Sequence, residues 1–248
     1  PDSIGGIQKH SHLLIKYFSK NNIYVDVYYT KNDLNNSSLN IKDYNLKYLN
    51  FFEFEMPSTF YFPGHYVYSS YKLSKLYYQK LKLNSYDFIY AQGITPWYLL
   101  KKQPRKNNLI SNLHGLNPYQ VPANKVEALK QILLKIPMNT IIKLSKYHIS
   151  LGGRLESILI DNGVKSDSIF TIPNAIESSW VIKKLSNTKS DKLKYIFIGR
   201  YDKVKGLDEI FKVINKLINK YDFEFHFIGE IPKDKRIYND NFFFYGII

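Results

Sequence analysis

Residues 109–115, Leu-Ile-Ser-Asn-Leu-His-Gly, begin with a short stretch that carries Leu109, Ile110 and Leu113 and end in a histidine and a glycine. Four to eight apolar residues bounded by turn residues are typical of a strand buried in a parallel sheet. A similar stretch lies upstream at residues 86–91, and helical patterns flank both. This alternation predicts an α/β fold with parallel strands covered by helices.

The alternation extends along most of the chain. Strands are predicted over residues 23–30, 86–91, 109–113, 148–150, 169–172, 194–199, 223–229 and 242–245. Helices are predicted after Gly5-Gly6 and over residues 69–82, 126–146, 154–161 and 207–220. A kink or break is expected near Pro137. The aromatic residues 51–68, interrupted by prolines, predict an irregular loop packed by its own rings.

A polar stretch divides the chain into two parts. Residues 177–192 are rich in Ser, Asn, Thr and Lys, which is typical of a linker. Residues 1–176 then form a first Rossmann-like domain, and residues 193–248 begin a second. Because the second part has too few elements to close its own sheet, we expect it to be incomplete.

The composition excludes some kinds of site. The 248 residues include no cysteine, so disulfides and thiolate metal sites are excluded. No apolar run reaches the roughly 18 to 20 residues of a membrane span, and Pro1-Asp2-Ser3 does not open a signal peptide, so we expect a cytoplasmic protein. The formal charge of +14 fits an anionic partner or a compositional bias toward lysine, and both interpretations stay open.

Three loops carry candidate functional residues at the expected carboxyl ends of strands, where ligands bind in such sheets. Gly5-Gly6 opens a helix, whose N-terminus can bind an anion. His114 directly follows a strand and can donate to a substrate hydroxyl or phosphate. A plain turn is the alternative at both positions.

The third loop follows the first strand of the second part. Gly199 precedes Arg200, and Lys205-Gly206 leads into a helix. The fork of donors on Arg200 and the compact charge of Lys205 can neutralise a diphosphate. The alternative is two solvated surface cations. No spacing of carboxylates or histidines predicts a metal site, and His10 and His12 point in different directions on a helix.

These motifs in this order resemble glycosyltransferase family 4, a family of retaining GT-B enzymes. The matching stretches are Gly5-Gly6-Ile7-Gln8-Lys9-His10, His114-Gly115, Ile172-Pro173-Asn174-Ala175-Ile176, Ile198-Gly199-Arg200 through Lys205-Gly206, Phe227-Ile228-Gly229-Glu230 and Phe244-Tyr245-Gly246. The resemblance implies two Rossmann-like domains with doubly wound parallel sheets.

The resemblance also implies roles for these residues. Gly5, Gly6, Gly199 and Gly206 are expected near the donor diphosphate, and Pro173-Asn174 at the interdomain turn. His114 is expected to contact the transferred sugar, and Arg200 and Lys205 to hold the diphosphate as catalytic cations. No metal or other cofactor is expected.

The chain departs from the family pattern in three places. The first strand of the family would precede Gly5, and its Glu-x7-Glu pair would follow Ile248, so a fragment, or a truncated or degenerate gene product, is expected. Ala175 also stands where glycine is more usual.

The resemblance predicts transfer of a hexose from a nucleotide sugar to a glycan or lipid-linked acceptor, with retention, in polysaccharide or lipopolysaccharide synthesis. Peripheral attachment to the anionic inner membrane face is expected. The main alternative is a non-catalytic nucleotide- or glycan-binding remnant. A sugar-nucleotide epimerase shares the architecture but needs acidic residues that we do not find. No contiguous basic face indicates a nucleic-acid partner.

Overall fold

The computed structural model describes residues 6–30, 44–122, 124–181, 192–199, 201–202 and 205–247. The chain separates into two compact units, Pro1–Val181 and Ile182–Ile248. The sequence prediction placed a linker over residues 177–192 and the second domain from residue 193 onward. Each unit is described by itself below.

Parallel strands form two sheets in the first unit. Strands β1 (Val25–Thr30) and β2 (Leu49–Phe54) pair with each other. The second sheet has four parallel strands in chain order: β3 (Ile89–Gln92), β4 (Leu109–Asn112), β5 (Tyr147–Ser150) and β6 (Ile169–Thr171). Because all four run the same way, their carboxyl ends lie along one edge of this sheet.

Five helices accompany these strands in the described part of the first unit: α1 (Gly6–Lys20), α2 (His65–Leu81), α3 (Trp97–Lys102), α4 (Lys125–Leu144) and α5 (Arg154–Asp161). The core lies where α3, α4 and α5 meet the four-stranded sheet, and Leu100, Leu109 and Ile141 are fully buried there. Burying such a side chain contributes about 1.5–3 kcal/mol. Within the described ranges, no helix has the length and apolar character that a membrane crossing requires.

The prediction of a loop over residues 51–68 was wrong at both ends. Residues 51–54 belong to β2, because Phe52 and Phe54 stack on Tyr28 of the paired strand, with ring centroids 5.0 and 5.9 Å apart. At the other end, α2 begins at His65 rather than at residue 69. Cross-strand ring contacts therefore make a strand of what the sequence suggested to be a loop.

Of the kink or break expected near Pro137, the break does not occur. Helix α4 continues through Pro137 from Lys125 to Leu144, and the proline ring is buried. Its first turn is capped by Asn124, whose side chain accepts a hydrogen bond of 2.9 Å from the Glu127 N–H. Packing on the core outweighs the roughly 3 kcal/mol that a proline costs inside a helix.

The second unit contains a three-stranded parallel sheet and one long helix among its described residues. Strands β7 (Leu193–Ile198), β8 (Phe223–Ile228) and β9 (Phe242–Gly246) lie in that order, and α6 (Leu207–Leu217) packs on them. Phe227, the fifth of the six residues of β8, is fully buried with Leu207 and Ile214 of the helix.

The ends of β7 and β8 approach each other so closely that only glycine fits. Gly229 has φ +130°, and a Cβ there would lie 2.0 Å from the Gly199 carbonyl oxygen. The Gly199 N–H donates to the Ile228 carbonyl at 2.9 Å, which holds the two backbones together. A side chain at Gly229 would have to push these strand ends apart.

We expect Gly229→Ala to lower the free energy of unfolding of the second unit by about 2–4 kcal/mol, from backbone strain and the clash with Gly199. Gly246→Ala is the matched control, because φ there is +74° but a Cβ would have no atom within 4 Å. We expect the control to cost about 1 kcal/mol. Urea denaturation followed by circular dichroism measures both, and equal losses would contradict the close approach.

His148 is the buried histidine of β5. Its side chain is 2% exposed, and its Nδ1 lies 3.0 Å from the Ser111 hydroxyl. Burial lowers its pKa to about 4, because a charged imidazolium loses its hydration there. Between about pH 6.5 and pH 4 the ring is therefore neutral in the folded first unit, whereas it would be protonated in the unfolded chain.

This pKa makes stability depend on pH in a defined window. The contribution of His148 is complete above its unfolded pKa near 6.5 and is lost as the pH falls toward 4, at up to about 1.4 kcal/mol per pH unit. His148→Asn keeps a polar atom near the position of Nδ1 and removes the titration. Urea midpoints measured from pH 7 to pH 4 should fall less steeply in the variant; identical slopes would contradict a neutral buried ring.

Candidate functional site

The candidate site of the first unit lies at the carboxyl ends of β3 and β4. Gln92 and Asn112, the last residues of these strands, are paired directly opposite each other. The N–H of Gly93 donates to the Asn112 carbonyl at 2.8 Å and extends the pairing by one step. Side chains from both strand ends therefore meet in one place.

The Asn112 side chain fixes the turn that carries His114. Its Oδ1 accepts the His114 N–H at 2.8 Å, and its Nδ2 donates to the Tyr90 hydroxyl at 2.7 Å. Within this turn His114 has φ +56°, a left-handed conformation that few residues other than glycine adopt. Such strain persists only where surrounding contacts hold it, and it concentrates at functional sites.

The imidazole of His114 is oriented by Gln92. The distance from His114 Nε2 to Gln92 Oε1 is 2.9 Å, and the Ser11 hydroxyl lies 3.0 Å from the same oxygen. Because Oε1 only accepts, Nε2 of His114 carries the proton and Nδ1 keeps its lone pair. The ring therefore offers an acceptor at Nδ1, whereas the sequence analysis expected His114 to act as a donor.

His10 of α1 contacts His114 edge to face, with ring centroids 5.0 Å apart and an interplanar angle of 82°. Its Nε2 lies 2.9 Å from the Tyr90 hydroxyl, and it also hydrogen-bonds with the Asn174 side chain. Helix α1, two strand ends and the segment after β6 therefore meet at these two rings.

Both histidines are held neutral. Burial, together with the neighbouring His10 ring, lowers the pKa of His114 to about 4. Burial also lowers the pKa of His10, and its hydrogen bond with Asn174 offsets part of this effect. At neutral pH the pair therefore presents polar ring nitrogens without positive charge.

Glu177 fastens the segment after β6 to α1. Its two carboxylate oxygens bind the Lys9 and Lys16 ammonium groups, each at 2.9 Å. These hydrogen bonds, first from Lys9 and then from Lys16, lower the pKa of Glu177 to about 2. The sequence analysis placed Glu177 at the start of the linker, but in the structure it binds the first helix of the first unit.

The structure brings several predicted site residues together in the first unit. Gly6 is the first residue of α1, one helical turn before His10 and so about 6 Å from it along the axis. Asn174, preceded by Pro173, reaches His10, which in turn contacts His114. Gly5 lies outside the described residues, as does Arg200 of the second unit.

The remaining predicted residues lie in the second unit. Gly199 directly follows β7, and Lys205 is exposed immediately before Gly206, whose left-handed conformation (φ +69°) opens α6. Asp208 and Glu209 in the first turn of α6 already place negative charge at this helix N-terminus. These carboxylates can therefore balance the charge of Lys205 without a bound diphosphate. The sequence analysis did not consider this alternative.

The sequence profile of Glycosyltransferase Family 4 matches residues 4–180, well over half of the chain. The chain belongs to Glycosyltransferase Family 4. A search of curated protein sequences finds no match.

Solved structures show the fold of this family member. A sucrose-phosphate synthase from Thermosynechococcus elongatus is similar with a TM-score of 0.71 and 15% identity, over 98% of this chain and 65% of its own. The lipopolysaccharide outer core galactosyltransferase WaaB, in its apo form, gives a TM-score of 0.62 and 15% identity, over 100% of this chain and 66% of its own. HepE from Anabaena, in complex with UDP and glucose, gives a TM-score of 0.57 and 14% identity, over 100% of this chain and 67% of its own.

At these identities the similarity shows the fold alone. The predicted class, α/β with parallel sheets as in GT-B glycosyltransferases, is confirmed. The chain spans about two thirds of the length of these structures.

Sequence reasoning missed four residues of the site in this family member. The only role considered for His10 was that of a metal ligand. Tyr90 and Asn112 were assigned to strands without a role, and Gln92 was not assigned to any element. The sequence did contain a signal for Asn112: the side-chain oxygen of an asparagine often accepts the backbone N–H of the residue two positions later in a turn. Among the described residues, no group of three or more histidines and carboxylates could hold a metal ion.

We expect Gln92→Glu to raise the pKa of His114 from about 4 by one unit or more, because a carboxylate beside Nε2 stabilises the imidazolium. The exposed Gln103→Glu adds the same charge outside the site and should leave the His114 titration unchanged. The His114 ring resonances followed by NMR against pH report both. Titration of wild-type His114 at its ordinary value near 6.5 would contradict the buried, neutral ring.

Proposed function

We propose that this chain acts in sugar transfer from a nucleoside diphosphate sugar to an acceptor hydroxyl, with retention of the anomeric configuration. Family membership supports the reaction class. The observation that carries the proposal is the strained, neutral His114, held by Asn112 and Gln92 beside His10 at the strand ends. Strain and a shifted pKa at one residue are typical of a functional site.

In this proposal, His114 binds the sugar that is transferred. Nε2–H donates to Gln92, so the Nδ1 lone pair is the atom that accepts a hydrogen bond from a sugar hydroxyl. A neutral ring suits this role, since an imidazolium would only donate and would repel positive charge developing at the anomeric carbon. His10 and Asn112 hold the ring in position.

The diphosphate is bound by backbone and by cations. The N-terminus of α1, beginning at Gly6, carries a partial positive charge of about half a unit that favours a phosphate. Gly199 and Gly206 let backbone approach the donor, and Arg200 and Lys205 neutralise the negative charge that grows on the leaving diphosphate. The acceptor oxygen bonds to the anomeric carbon on the face from which the diphosphate leaves, and the acceptor proton passes to the leaving diphosphate oxygen, so the configuration is retained.

Two of the solved structures similar to this chain support the choice of donor and acceptor. HepE binds UDP and glucose, and WaaB is a galactosyltransferase of the lipopolysaccharide outer core. We propose a nucleoside diphosphate hexose as donor and a glycan or lipid-linked acceptor, in cell-surface polysaccharide or lipopolysaccharide synthesis on the cytoplasmic side. The reaction as proposed uses no metal or other cofactor.

Arg200→Ala and Lys205→Ala should each lower kcat by on the order of 10²- to 10³-fold, because each removes one charge that stabilises the leaving diphosphate. Turnover is measured as release of nucleoside diphosphate in the presence of acceptor glycan. Lys212→Ala, on the exposed side of α6, is the matched control and should retain wild-type turnover.

Calorimetry with UDP and GDP separates the proposal from its main alternative. Nucleotide binding with no turnover in any donor and acceptor pair would identify a binding remnant and contradict the transferase. Wild-type turnover in both cation variants would remove Arg200 and Lys205 from the mechanism.

A further inference from the structure

A continuous series of hydrogen bonds crosses the candidate site of the first unit. It begins at the His114 N–H, which donates to Asn112 Oδ1 at 2.8 Å. Asn112 Nδ2 lies 2.7 Å from the Tyr90 hydroxyl, and that hydroxyl lies 2.9 Å from Nε2 of His10. The last member is the side chain of Asn174, which hydrogen-bonds with His10. We call these five residues the hydrogen-bond series.

The direction of the first two bonds is fixed. A backbone N–H can only donate, so the amide oxygen of Asn112 faces His114 and its NH2 group faces Tyr90. An NH2 group also only donates, so the Tyr90 oxygen accepts from Asn112. The single proton of the Tyr90 hydroxyl is therefore available for His10 Nε2, 2.9 Å away.

This direction selects one tautomer of His10. If the Tyr90 hydroxyl donates to Nε2, the neutral ring carries its own proton on Nδ1 and donates it to the Asn174 amide oxygen. Burial lowers the pKa of His10, and the hydrogen bond with Asn174 acts in the opposite direction, because an acceptor stabilises a protonated ring. Every donor in the hydrogen-bond series then points the same way, and bonds aligned in this way polarise one another.

The opposite tautomer of His10 loses hydrogen bonds. With the ring proton on Nε2, the Tyr90 oxygen would accept twice, and the Tyr90 proton would have no partner within the hydrogen-bond series. Asn174 would also have to turn its NH2 group toward the ring. The orientation of the Asn174 amide and the tautomer of His10 are therefore coupled.

Asn174 is held beside His10 from both directions along the chain. Before it, the Ile172 N–H donates to the Ser150 carbonyl at 2.8 Å, which attaches the segment to the end of β5. After it, Glu177 binds two lysines of α1, the helix that carries His10, each at 2.9 Å. These attachments place the Asn174 amide before any substrate binds.

We propose that Asn174 is a positioning residue of the candidate site. It fixes the proton of His10 on Nδ1. Through Tyr90 and Asn112, that tautomer supports the left-handed turn in which His114 lies. The inference deepens the proposed function and rests on it only for the effect on turnover, because the tautomer of His10 is a property of the free protein.

Long-range 1H–15N correlation spectra of the 15N-labelled chain at neutral pH test the tautomer, since they distinguish a ring nitrogen that carries a proton from one that does not. We expect His10 to be protonated on Nδ1, and His114 on Nε2. Asn174→Leu should raise the ratio of the Nε2–H to the Nδ1–H tautomer of His10 about tenfold, because one hydrogen bond is lost. Asn174→Asp keeps an acceptor oxygen and should keep the wild-type tautomer.

A double-mutant cycle tests whether Asn174 acts through the hydrogen-bond series. Asn174→Leu should lower kcat about tenfold in the wild type, but by less than about twofold when Tyr90→Phe has already interrupted the series. Asn107→Leu is the matched control, an exposed asparagine before β4 whose amide oxygen accepts from Lys146, and it should leave both the tautomer and kcat unchanged. Asn174 is itself exposed, and circular dichroism confirms that each variant is folded.

Three outcomes would overturn the proposal. One is wild-type His10 protonated on Nε2. Another is an Asn174→Leu variant that keeps the wild-type tautomer. The third is a full tenfold loss from Asn174→Leu in the Tyr90→Phe background, since Asn174 would then act directly on the substrate. If the wild type transfers no sugar from any donor, the proposed function fails, and the spectra still decide the role of Asn174.

Discussion

One buried amide holds the candidate site together. The Asn112 side chain is fully buried and uses both of its ends: its oxygen accepts the His114 N–H, and its nitrogen donates to the Tyr90 hydroxyl. Tyr90 then contacts His10, which contacts His114. A buried amide that loses a partner costs about 1–3 kcal/mol, so the left-handed turn at His114 and the position of both histidines depend on the same two hydrogen bonds.

The alternation of strands and helices was readable from sequence because buried parallel strands are short apolar runs between helical patterns. The stretch at residues 109–113, for example, is strand β4. Residues 51–54 were misassigned because their rings depend on Tyr28, more than twenty residues earlier. Helix α4 continues through Pro137 because its side chains pack in the core. Helix propensity depends on local sequence and carries no information about that packing.

The site was only partly predictable. His114 was identified from its place after a strand, and Asn174 from the family resemblance. His10 was not assigned a role, because the residues around it in the sequence do not indicate a site. Its partners Tyr90 and His114 lie in β3 and in the turn after β4, 80 or more residues away. Glu177 sat in a polar stretch typical of a linker, and nothing in that stretch shows that two lysines of α1 bind it.

The ion pairs of Glu177 with Lys9 and Lys16 attach the segment after β6 to helix α1. Its carboxylate and both of its lysine partners lie where water and dissolved ions can reach them, whereas the hydrophobic core lies elsewhere. Counter-ions compete directly for such exposed ion pairs, so these can break while the sheet stays folded. The stretch that also supplies Asn174 to His10 is therefore held to α1 in part by ion pairs, whose strength depends on ionic strength.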